Sequence, residues 1–68
     1  MHLFLDLMQN KKQVKRFAFL KEVEGCKKEL ISTPSEAMLI YIRNGEEVGY
    51  IWRAKQGALE LEYWLWED

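Results

Sequence analysis

The pattern of apolar and polar positions is clearest in the last third of the chain. Met38-Leu39-Ile40-Tyr41-Ile42-Arg43 is β-branched and aromatic, and Asn44-Gly45 follows it directly. That dipeptide is the strongest short hairpin signal, because a type I′ turn needs positive φ at both central residues. Glu47 to Arg53 reads as a second strand, Ala54-Lys55-Gln56-Gly57 as a short polar turn, and Ala58 to Trp66 as a third strand. Residues 37–66 are therefore expected to form a three-stranded antiparallel meander.

Strand side chains alternate between faces, so a register follows from the turns. A two-residue loop at Asn44-Gly45 sets Tyr41 against Val48 and Leu39 against Tyr50. A four-residue loop over 54–57 sets Trp52 against Leu59, Tyr50 against Leu61 and Val48 against Tyr63. One face then holds Leu39, Tyr41, Val48, Tyr50, Trp52, Leu59, Leu61, Tyr63 and Leu65. The other holds Met38, Ile40, Ile42, Ile51, Trp64 and Trp66, mixed with Glu47, Arg53, Glu60 and Glu62. Neither face is polar, and a one-residue slip would only exchange some members.

The first half supports two readings. Leu3-Phe4 and Leu7-Met8 have helical spacing, and Asn10 with Gln13 resembles a capping pair ahead of Val14, Phe17 and Ala18. Against a helix, Lys11 and Lys12 would lie unfavourably in its first turn. Phe17, Phe19 and Val23 also fit a period of two, which would make Arg16 to Glu24 a strand. Gly25 ends either element, and Ser32-Thr33-Pro34-Ser35 breaks the chain before the meander. The favoured fold is α+β, a single domain over 1–68. It has a helical segment in 1–31, a breaker at 32–36, and the meander at 37–66 with the helix on one sheet face. The alternative is a small all-β barrel.

Composition narrows the function classes. Sixty-eight residues with 49% apolar content describe a small globular domain rather than a disordered chain. So small a domain buries only about 60% of its unfolded surface, and such folds usually need staples or oligomerisation. The lone Cys26 and lone His2 supply neither an internal disulfide nor a closed structural zinc site. No metal or cofactor is expected, and association is the staple left over. No apolar run approaches the ~20 residues that span a bilayer. Met1 to Met8 carries Asp6 and lacks the basic start of a signal peptide. An unpaired cysteine suits a reducing compartment, so a cytoplasmic location is expected.

Charge is unevenly spread. Residues 1–31 carry seven Lys or Arg against four acids, and residues 32–68 carry three against seven. Lys11, Lys12, Lys15, Arg16 and Lys21 form a basic patch near Phe17 and Phe19, the ingredients of a nucleic-acid contact. The chain as a whole is slightly acidic, at a net −1, which makes this the lesser reading. Catalytic constellations are weak. His2 has no convergent partner. Cys26 stands beside Lys27 and Lys28, whose charge would favour a reactive thiolate only if the thiol were exposed, and no base is placed next to it. Glu60 and Glu62 would share a strand face roughly 7 Å apart, with Arg53 as candidate counter-ion, and read as a charged rim.

Leu7-Met8-Gln9-Asn10, Val14-Lys15-Arg16-Phe17, the run from Ser35 to Trp52, and Leu59-Glu60-Leu61-Glu62-Tyr63-Trp64-Leu65 together resemble the first half of a GNAT-type N-acetyltransferase. The resemblance implies an early helix, a hairpin around Asn44-Gly45-Glu46, and a strand glutamate, Glu60 or Glu62, in the position of a general base. The pyrophosphate-binding loop and following helix of that family have no counterpart before Asp68, and its first strand is missing too. Catalysis is therefore not expected, and a truncated acetyltransferase-like remnant is a third reading of the chain. The leading expectation is a non-catalytic protein-binding protein, either a homodimer or an inhibitor or adaptor of a larger target. Its contact surface would be the second sheet face, through Ile40, Ile42, Ile51, Trp64 and Trp66.

Overall fold

The computed structural model describes residues 10–57 and 60–67. Five strands and one helix follow in chain order: β1 (Lys11–Val14), α1 (Arg16–Glu22), β2 (Lys27–Ser32), β3 (Glu36–Arg43), β4 (Glu46–Ala54) and β5 (Glu62–Trp66). The strands form one sheet of order β1-β5-β4-β3-β2, with every neighbouring pair antiparallel. The two edge strands thus run parallel, and α1 carries the chain across one sheet face from the first edge to the other.

This overturns the α+β expectation of a helical N-terminal segment. Residues 11–14 and 27–32 are strands, and only the seven residues of α1 are helical among those described. The fold is a small β-rich sheet, nearer in content to the barrel alternative, although no pairing joins β1 to β2. The supposed breaker at 32–35 is itself a hairpin turn. There Thr33 Oγ1 accepts from the backbone N–H groups of Ser35 and Glu36 at 3.3 and 3.1 Å. The Thr33 N–H donates to the Glu36 carbonyl at 2.8 Å, and Ser32 stands opposite Ala37. The meander therefore begins at Lys27. Asn10 and Gln13 do not cap a helix: Gln13 pairs with Trp64 in the sheet, and the Asn10 carbonyl accepts from the Glu67 N–H at 3.0 Å. The helical spacing read in Leu3 to Met8 lies outside the described residues, as do His2 and Leu59.

Helix α1 is not held by its own ends. Its N-cap, Lys15, makes no side-chain cap bond, and no acid stands in its first turn. A helix of this length is marginal alone. It is held by Phe19 on its inner side and by Val23 at its C-cap, which are 0% and 4% exposed. At its other end Arg43 Nη2 donates to the Glu22 carbonyl at 2.6 Å, placing a cation where the helix dipole favours one.

The Asn44-Gly45 turn forms as expected, with φ of 54° and 80° and Arg43 opposite Glu46. Beyond it the register departs. Ile42 faces Glu47 but Tyr41 faces Gly49, so Val48 is an extra residue in β4. A bulge of this kind inverts the alternation downstream of it. Leu39 faces Ile51 rather than Tyr50. Tyr50 and Trp52 consequently join the far face, while Ile51 moves to the helix face. The β4–β5 register also differs, pairing Trp52 with Glu62 and Tyr50 with Trp64.

Each sheet face carries its own core. On the helix face Phe19, Val23, Tyr41 and Leu65 are buried, flanked by Val14, Cys26, Leu39, Val48, Ile51 and Tyr63. Phe19 meets Tyr41 edge-to-face at 5.2 Å and Tyr63 at 5.4 Å. On the far face Met38, Ile40 and Tyr50 are buried, flanked by Ile31, Ile42, Trp52, Trp64 and Trp66.

Candidate functional site: an apolar strip beside an open edge

The length of α1 decides what the helix face leaves uncovered. Seven residues rise only about 10 Å, whereas the eight and nine residues of β3 and β4 extend over roughly 27–30 Å. The helix sits on the row of Tyr41, Gly49 and Leu65, where Gly49 is the residue that lets it approach. A Cβ built on Gly49 would lie 3.0 Å from Phe19 Cε1 and 2.9 Å from Leu65 Cδ2, and would collide with the Trp64 carbonyl oxygen. One and two rows further along β3, the sheet is open. Leu30, Ala37, Leu39, Ile51, Arg53 and Leu61 line a shallow groove of about 200 Å³ there.

Leu30 is 68% exposed and Leu61 is 44% exposed, on either side of half-buried Leu39 and Ile51. The register places Leu30, Leu39 and Ile51 side by side across β2, β3 and β4, so they form one continuous apolar strip. It begins at the sheet edge, where β2 has no partner strand on its outer side among the described residues. Every residue of β2 except Ile31 is exposed. Phe17, 77% exposed, and Leu20, 39% exposed, are three apart on α1 and share its outward side.

The far face is built differently from the expected contact surface. Of the five residues nominated for it, Ile40 is 0% exposed, and Ile42, Trp64 and Trp66 are half-buried on that face. Ile51 is on the opposite one. Tyr50 stacks on Trp64 at 6.4 Å and meets Trp66 at 5.9 Å. Lys11 Nζ lies 5.0 Å from the Trp64 ring and 5.4 Å from the Tyr50 ring, and donates to the Tyr50 hydroxyl at 2.8 Å. A groove of about 340 Å³ opens there between Lys11, Tyr50, Trp52 and Trp64, with Glu36 and Glu62 on its wall.

The expected charged constellations are dispersed. Lys11 is turned onto the far face, while Lys12, Lys15, Arg16 and Lys21 remain exposed around the start and outer side of α1. Glu60 precedes β5, so it does not share a strand face with Glu62. Arg53 lies on the helix face beside Leu39 and Ile51, opposite to Glu62, and is not its counter-ion. Cys26 is half-buried against the helix-face core. Burial raises the Tyr41 phenol above its ordinary value near 10, and neighbouring Tyr63 adds to the shift. Among the described residues no three acids, cysteines or histidines converge on a metal-sized site, and no helix is long and apolar enough to cross a membrane.

Residue patterning did not single out Leu30, because a leucine between Glu29 and Ile31 in a segment read as helical carries no signal of exposure. Leu61 was placed on a core face. Only the lengths of the elements reveal that no described element covers the strip. Comparisons with protein-family models, with curated proteins and with solved structures find no match to this chain.

Proposed function

We propose that this chain is a non-catalytic protein-binding domain whose contact surface is the helix-face strip of Leu30, Leu39, Ile51 and Leu61 together with the open edge of β2. The observation that supports it is the pairing of an apolar strip with an unpaired strand edge at one place. The edge offers backbone donors and acceptors, and the strip offers desolvation, the two components of recognition by strand addition. Arg53 and Lys28 stand at the rim, and their charge would orient an approaching partner rather than supply affinity. The partner is either a second copy or a larger protein for which this chain serves as inhibitor or adaptor. The far-face residues Ile40, Ile42, Trp64 and Trp66 act in this reading as the second core that stiffens the sheet.

The test is photo-crosslinking in cells that make the protein, with a benzophenone amino acid placed at Leu30 or Leu61. A discrete protein adduct at both positions, with none at exposed Lys55, is the expected result. Absence of any discrete adduct at both would refute the reading.

One observation favours a second reading. Phe17 stands out from the surface beside Lys15 and Arg16, so the exposed part of the basic patch keeps a ring on which a base can stack. A salt-sensitive shift of single-stranded DNA or RNA that Lys15→Glu with Arg16→Glu abolishes would support nucleic-acid binding instead.

A further inference from the structure

We infer that the partner of the β2 edge is a second copy of this chain, paired antiparallel about a two-fold axis that passes through Leu30. The inference rests on the reading of the strip and edge as a protein-contact surface, and the charge sequence of β2 selects the register. In a two-fold antiparallel pair, residue i faces residue j with a constant sum, and facing residues share a sheet face. The axis then passes through one residue, which meets its own copy.

An axis at Lys28 sets two ammonium groups opposite each other, and an axis at Glu29 sets two carboxylates opposite each other, both unfavourable. An axis at Ile31 leaves Leu30 against Ser32 and runs Lys28 into Pro34, which has no N–H to donate. An axis at Leu30 pairs Leu30 with Leu30, Glu29 with Ile31 and Lys28 with Ser32, with no like charges opposed. It covers the more exposed of the two apolar side chains of the strand, Leu30 at 68%. It also joins the two helix-face strips edge to edge into one ten-stranded sheet. Lys28, held over the Tyr41 ring at 5.9 Å, keeps to the helix face, the same face as Ser32 opposite it.

A six-residue edge is short beside the standard interface of about 1,200–2,000 Å², so a weak, concentration-dependent association is expected. Sedimentation equilibrium between about 10 and 500 µM is the experiment. The expected species has twice the 8.2 kDa chain mass. Leu30→Lys should return it to monomer with an unchanged far-ultraviolet circular dichroism spectrum.

Two further variants read the register without touching the core. Ser32→Glu faces Lys28 of the other copy twice per dimer and should tighten association about fivefold, whereas Ser32→Lys should weaken it by a similar factor. A monomer at every concentration overturns the inference. So does a dimer indifferent to both Ser32 substitutions, which pairs elsewhere. If the chain is monomeric while Leu30 still crosslinks to a different protein, the self-pairing fails and the protein-binding reading stands. If no adduct forms at all, both fail.

Discussion

Replacing Gly49 with alanine is expected to destabilise the domain by about 2 kcal/mol, through crowding rather than backbone strain. The residue lies in the sheet interior, opposite Tyr41 on one side and Leu65 on the other, with the Phe19 ring above it. A methyl group there would stand 2.9 Å from Leu65 Cδ2 and 3.0 Å from Phe19 Cε1, and against the Trp64 carbonyl. The two side chains can yield by a few tenths of an ångström. The carbonyl belongs to the strand bonded to β4 and cannot yield without opening the ladder. Overpacking of a fixed neighbour costs typically 1–3 kcal/mol, here at the upper end. Against it, alanine restricts the unfolded chain and returns about 0.4–1 kcal/mol.

A net loss of about 2 kcal/mol is a factor of roughly 30 in the folded-to-unfolded ratio, in a domain whose total stability is of order 3–10 kcal/mol. Urea denaturation measures it, with an unchanged m value as the check that the unfolded state is comparable. Gly45→Ala is the control. Gly45 has φ of 80° with nothing within 4 Å of its would-be Cβ, so its cost is left-handed strain alone, about 1–2 kcal/mol. Gly49→Ala stability within about 0.5 kcal/mol of the parent would refute the close packing of the Trp64 carbonyl, Leu65 and Phe19 around Gly49.

The other expectations concern the two cores, one titration and the strip. Phe19→Ala should cost about 3–5 kcal/mol, a large share of the domain's stability, read as a lowered thermal midpoint by circular dichroism. A folded variant with native thermal stability would show that α1 is not what closes the helix face. Ile40→Ala should cost about 2–5 kcal/mol by denaturant melt if the far face is a true second core, and less than 1 kcal/mol would return that face to the surface. The buried Tyr41 phenol binds its proton more tightly folded than unfolded. The stability this contributes is complete below about pH 10 and is lost as pH rises through the raised folded value. Tyr41→Phe should flatten that alkaline decline, and an unchanged decline would assign it elsewhere. Leu30→Lys, on the open edge, should change monomer stability by no more than about 0.5 kcal/mol, in contrast to both core variants.

What the sequence made legible was set by local chemistry. The Asn44-Gly45 turn and most of the residues of β3, β4 and β5 follow from alternation and one dipeptide with few conformational choices. The two edge strands were not legible. Lys11-Lys12-Gln13-Val14 has a single aliphatic residue, and it is a strand because β5 offers it a ladder and because Lys11 can lie over Tyr50 and Trp64. Lys27 to Ser32 carries four polar residues in six, as an edge strand can when only one of its sides is paired. Neither pattern differs locally from an amphipathic helix. The inverted faces had a signal that patterning alone passes over. A glycine inside an aromatic strand marks a bulge or a close approach, and Gly49, next to the bulged Val48, marks both. The contact surface was the least legible feature, because exposure of Leu30 depends on where a helix drawn from another part of the chain comes to an end.

Leu30 and Leu61 carry separable parts of the functional reading. Pairing two copies through Leu30 satisfies the β2 edge and buries that side chain, but it leaves Leu61 on the same side of a sheet now twice as wide. Edge pairing moves apolar surface together without placing a layer on it. A helix of about 10 Å covers one end of each half, so the joined strip between the two helices becomes a trough with the axis passing through its floor at Leu30. That trough joins the apolar surface of both strips, and larger exposed apolar patches mark contact sites. Leu61→Lys should therefore leave the sedimentation dimer intact while removing adducts to any other protein, and Leu30→Lys should remove both. Loss of the dimer in Leu61→Lys would place the two-fold contact face to face instead of edge to edge. In that arrangement the strips of the two copies would cover each other, and no larger target would be needed.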